Sequence, residues 1–127
     1  MNFAVLERNE PVNAERIVNG LRGHPKLERI YYPTCFTDPE QKRIYKAQCA
    51  YPGGLFSVDV RGGKAGAFDF LRHLRLVKDA VSLGGVESLA CHPATMTHAS
   101  IPEADRLKQG VTGGLARISV GIEDLDD

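Results

Sequence analysis

No apolar run in this chain approaches the ~20 residues needed to span a bilayer, so no stretch reads as a transmembrane helix. No basic-then-apolar leader opens it. Charge of one sign is not in excess: Lys plus Arg is 16 and Asp plus Glu is 16. Nucleic acid and anionic membrane call for a basic excess, so neither is an expected partner. Cysteine is scarce and odd in number. Cys35, Cys49 and Cys91 share no short repeated spacing, which argues against a disulfide framework and makes a reducing cytoplasm the default location. There is no internal repeat and no low-complexity segment.

Several catalytic signatures are missing as well. Gly62-Gly63-Lys64 follows a strand-like run, but the full phosphate-loop spacing and the Ser or Thr after the lysine are absent. That stretch reads as a tight turn with a solvated lysine. Cys91, His92 and His98 lie close in sequence without a structural zinc spacing or an evident fourth ligand, so no metal is expected. Nothing marks a thiol as activated, and no Ser sits in a nucleophile elbow.

What is present is an ordinary globular composition, 43% hydrophobic and 25% charged. At 127 residues the chain reads as one domain, spanning 1–127. A chain of that size buries about two thirds of its unfolded surface, enough for one core. Glu10–Leu21 reads as a helix with Pro11 in its first turn, and Phe3–Arg8, before it, as the end of a longer connecting helix. Leu27–Tyr32 and Leu55–Val60 alternate as strands, the second with one buried face. Asp38 is placed to cap a helix through Ala47. Ala65–Leu76 reads as a helix, Glu87–Cys91 as a strand broken by His92-Pro93, and Ile101–Leu107 as a helix with Ser100 a possible cap. Gly113-Gly114 turns the chain into a last strand, Leu115–Ile122. The predicted class is α+β: an antiparallel or mixed sheet of about four strands with helices packed on one face. Continuous apolar strands of a doubly wound parallel sheet are missing.

Both ends read as cut. The acidic residues of Ile122–Asp127 gather as if at a helix start, which is where they suit the helix dipole. The expectation is a domain taken from a longer polypeptide; the alternative is a short protein with a frayed acidic tail.

Arg117 stands inside the apolar alternation of the last strand. An unpaired buried charge is costly, so such an arginine needs an anionic partner or a ligand. Buried ion pairs are the commoner cause, and Glu87 is a candidate partner. The ligand reading is that its planar fork grips a carboxylate with two parallel hydrogen bonds. Ser82, before two glycines that let backbone amides approach closely, and Thr97, in a polar loop, could add hydroxyls to such a pocket. Each could equally be a turn or cap residue.

Three blocks carry a family resemblance: Ser82-Leu83-Gly84-Gly85-Val86-Glu87-Ser88-Leu89, His92-Pro93-Ala94-Thr95-Met96-Thr97-His98-Ala99-Ser100, and Leu115-Ala116-Arg117-Ile118-Ser119-Val120-Gly121-Ile122-Glu123. In order and spacing the chain resembles the C-terminal domain of the Cys/Met-metabolism family of pyridoxal-phosphate enzymes, whose members include cystathionine and methionine lyases and cystathionine γ-synthase. The resemblance implies the small domain of a fold-type-I enzyme. It implies that Arg117 binds a substrate α-carboxylate and that Ser82 and Thr97 line that site. It also implies that the large domain supplies the cofactor lysine and phosphate site. On that basis the chain alone is expected to hold no pyridoxal 5'-phosphate, to contain no catalytic residue, and to be inactive by itself. The expected partners are an amino-acid substrate, the large cofactor domain and further copies in a homo-oligomer.

Two departures from the family pattern matter. Val81 stands where cystathionine-processing members commonly carry an acid that would pair with a distal ammonium. An apolar residue there leans toward methionine γ-elimination, with cystathionine γ-lyase or γ-synthase chemistry as the alternative within the class. Gly113-Gly114 replaces a more usual polar-Gly pair, which is expected to loosen that turn. A standalone, non-catalytic binding module is the reading from outside the class.

Overall fold

A computed structural model describes residues 3–124 and 126–127, with side chains from Asn9 onward. In chain order the elements are α1 Phe3–Leu21, β1 Leu27–Tyr31, α2 Pro39–Gln48, β2 Leu55–Val60, α3 Gly63–His73, β3 Lys78–Asp79, β4 Leu89–Cys91, α4 Glu103–Lys108 and β5 Leu115–Ser119. The strands form one sheet in the order β1-β2-β5-β4-β3. All neighbours are antiparallel except β3 with β4, so the sheet is mixed and has five strands. The α+β class stands, with one strand more than the sequence pattern shows.

The core lies between the sheet and two helices. Phe56, Val58 and Val60 of β2 and Ala116 and Ile118 of β5 point to one face, with Val120 just beyond β5. They pack with Ala14 and Val18 of α1 and Leu71 of α3. A smaller cluster, Ala94, Val111 and Leu115 with Tyr31 against it, covers one end of the other face. Among the described residues no helix is long and apolar enough to cross a membrane.

Several expectations are corrected. Phe3–Arg8 and Glu10–Leu21 are one helix with Pro11 inside it. Proline lacks the N–H that would reach back one turn, so that turn goes on without one of its bonds. Tyr32, fully buried, donates to the Gly53 and Pro11 carbonyls at 2.8 and 3.4 Å and ties this point to the β2 entry. α3 ends at His73, three residues early, because Leu74 is extended. The two-residue β3 gives no alternation to read. β4 starts at Leu89 because Ser88 is engaged elsewhere. α4 begins after Pro102, with no side-chain cap from Ser100. Asp38 does cap α2, its Oδ1 accepting from the Gln41 amide at 2.8 Å.

No helix starts in the described part of Ile122–Asp127; Leu125 lies outside the described residues. Glu123 is used differently. Its carboxylate accepts from the Ser88 amide and hydroxyl at 2.6 and 2.8 Å, while Ser88 Oγ accepts from the Gly121 amide at 2.9 Å. Asn13 of α1 donates to the Gly121 and Glu123 carbonyls. The Gly113-Gly114 turn is likewise held firmly. The buried His92 donates from Nε2 to the Gly113 carbonyl at 2.8 Å. A carbonyl can only accept, so in the neutral ring Nδ1 is the acceptor and takes the Thr95 hydroxyl at 2.8 Å.

Candidate functional site

Side chains alternate along a strand, so Ala116 and Ile118 face the helices while Leu115, Arg117 and Ser119 face the other way. This resolves the odd placement of Arg117. It sits at the middle of a central strand, half-buried, on the face the core helices do not cover. Directly across it are Ser57 on β2 and Cys91 on β4. Both flanking side chains are small.

The expected ion pair with Glu87 does not form. Glu87 is exposed, and no carboxylate pairs with Arg117 among the described residues. Cys91 does not neutralise it either. Burial pushes the Cys91 thiol above its usual range, with Asp79 adding to the rise and the Arg117 charge only opposing it. The thiol therefore stays protonated and neutral beside the guanidinium.

One partner is present. Arg117 Nη2 donates to the Val81 carbonyl at 2.6 Å, which brings the start of Ser82 alongside the guanidinium. Val81, Ser82 and Leu83 are exposed around this point. The structure thus brings Arg117, Val81 and Ser82 together. Thr97 is not part of this contact: it is exposed, and its hydroxyl bonds the His98 ring nitrogen at 2.7 Å. Ser119 was missed by sequence reasoning. Its hydroxyl accepts from the Gly84 amide at 3.0 Å, and its phase with Arg117 was the available signal.

The residues present do not fit a covalently held pyridoxal phosphate. All six lysines are exposed. Lys64, in the Gly-Gly-Lys turn, lies over the Phe68 ring at 5.4 Å. His92, with both ring nitrogens committed, has no lone pair left for a ligand. What the arrangement can do is hold a small planar anion. An arginine offers five N–H donors, and one is occupied here.

Fold and site together define an α+β domain whose open sheet face presents Arg117, without a carboxylate partner among the described residues, beside a glycine-bearing loop. Residues 5–127 match the model of the family described as Cys/Met metabolism PLP-dependent enzyme, and the chain belongs to that family. It is 47% identical over 115 residues to cystathionine β-lyase of Coxiella burnetii, covering 91% of this chain and 30% of that protein. It is 42% identical over 125 residues to L-methionine γ-lyase of Fusobacterium nucleatum subsp. polymorphum, covering 98% and 31%. The crystal structure of cystathionine γ-lyase from Micromonospora echinospora superimposes with a TM-score of 0.85 at 37% identity, covering 94% of this chain and 31% of that one. The chain therefore spans about a third of the length of the relatives it matches.

Proposed function

We propose that this chain supplies the α-carboxylate site of a pyridoxal-phosphate-dependent sulfur amino-acid lyase. The observation that carries the reading is Arg117: a half-buried cation on an open sheet face, with no acidic partner among the described residues and most of its donors unspent. A carboxylate would take two parallel N–H bonds from the remaining fork. Ser82, next to the Val81 carbonyl that Arg117 already holds, would add a hydroxyl. Thr97 would join only if its loop turned toward the site, since it now bonds His98.

Within the class we favour γ-elimination from a methionine-like substrate. Amino acid and water would give a thiol, a 2-oxo acid and ammonia. Val81 and Leu83 are 47% and 53% exposed at the site's rim, and apolar side chains there suit an uncharged substrate tail better than a distal ammonium. Cystathionine cleavage is the alternative, and the relatives divide among these activities. When bound, pyridoxal phosphate supplies the electron sink; the residues of this chain supply binding and orientation. Leu55, Val81, Leu83 and Val86 leave apolar surface exposed, which suits cover by a cofactor-bearing domain like the relatives' remaining length.

The test uses isotopically labelled chain titrated with L-methionine and with L-methioninamide, which lacks the carboxylate. L-Methionine is expected to shift the Arg117 Nε–H and Ser82 amide resonances, the amide far less. R117A should weaken L-methionine binding by about 10-fold or more, as for loss of a charge-assisted pair. Equal responses to the two ligands, or unchanged binding by R117A, would sink the proposal.

A further inference from the structure

Arg117 and Ser119 are two residues apart on β5, so their side chains leave the same face of the sheet. Each holds one end of the same four-residue loop. Arg117 Nη2 donates to the Val81 carbonyl at 2.6 Å, and the Gly84 amide donates to Ser119 Oγ at 3.0 Å. Gly84 has φ +70°, a left-handed conformation that suits glycine. Ser119 itself is 4% exposed, between Leu55 and Leu89 across the sheet. A hydroxyl buried there costs free energy unless it is bonded, and the loop amide is its partner.

The two anchors bracket Ser82 and Leu83. One anchor alone would let the loop pivot about the Arg117–Val81 bond. Two anchors fix where Ser82 stands relative to the guanidinium. The Val81 carbonyl takes one of five donors, so the arginine can hold the loop and a carboxylate together.

We propose that Ser119 is a positioning residue, whose hydroxyl clamps the Val81–Gly84 loop to β5 so that Ser82 stands beside Arg117 when a substrate carboxylate binds. This rests on the reading of Arg117 as the carboxylate site. Holding a binding group in place before the ligand arrives removes an ordering cost from binding.

S119A and S119T in the full chain test it, read by Gly84 amide hydrogen exchange and by affinity for L-methionine against L-methioninamide. In S119A, Gly84 exchange should speed up while Ile118 exchange stays as in the native chain. L-Methionine affinity should fall about 5-fold, the worth of one neutral hydrogen bond, and discrimination against the amide should shrink. S119T, which keeps the hydroxyl, should restore both. If S119A unfolds the sheet, S119C replaces it, keeping the volume but offering a weaker acceptor. Faster Gly84 exchange with unchanged affinity and discrimination overturns the positioning role, as does unchanged Gly84 exchange. A native chain that does not discriminate between the two ligands overturns the Arg117 reading itself, a different result from either of these.

Discussion

Glu10 carries a cost that its neighbours do not offset. One carboxylate oxygen is buried without a hydrogen-bond partner, where α1 passes Gly54. Burial pushes its pKa above the ordinary 4.5. The folded chain therefore binds this proton more tightly than the unfolded chain, and the native state holds more protons. Stability from this group is complete below the ordinary carboxylate range and is lost as pH rises through the raised value. E10Q keeps the shape and removes the charge. Its melting temperature should exceed that of the native chain at pH 7, with the gain shrinking toward pH 4. Parallel melting curves across that range would contradict this account. At this scale the sequence was partly legible. Arg117 stood out because a cation broke an apolar alternation, and Asp38 announced its cap. Glu10 did not stand out, because its burial depends on Gly54, far along the chain.

Elements hold their places through close approaches that a sequence pattern does not mark. A Cβ on Gly114 would lie 2.5 Å from the Val60 carbonyl and 2.7 Å from Asp59 Oδ1. The glycine lets β5 enter the sheet against β2, where the Gly114 carbonyl accepts from the Val60 amide at 2.9 Å. G114A should cost about 1–3 kcal/mol, as overpacking typically does. G113A, whose Cβ meets ordinary contact at 3.4 Å from the Lys64 amide nitrogen, should be close to neutral. Chemical denaturation of both variants checks this, and equal losses would show that the close approach is not what matters. β2 was readable because it alternates cleanly, and β5 because an apolar run interrupted by Arg117 follows the Gly113-Gly114 turn. β3 was not, since two residues show no period and their parallel pairing with Leu89 and Ala90 is made across an irregular loop. Pro11 pointed to a helix start, yet the helix runs through it.

At the scale of the whole molecule, the role proposed for this chain is binding rather than cofactor attachment. All six lysines are exposed, and none adjoins the contacts described for Arg117. A Schiff-base lysine works in a site that desolvates and orients it. Incubating the chain with pyridoxal phosphate and reducing with borohydride should therefore leave no stoichiometric adduct on one lysine. A single fully modified lysine, located by peptide mass analysis, would overturn that expectation. The sequence alone determined which way side chains point along β2 and β5, and hence that Arg117 and Ser119 share a face, because the pleat is a local property of a strand. It also determined the α+β class and, through three residue blocks, the family. Only the tertiary structure decided that this face is open, that Glu87 does not reach Arg117, and that Ser119 holds the Gly84 amide. What covers a strand face, and which groups meet across it, is set by residues tens of positions away, and no local pattern encodes those distances.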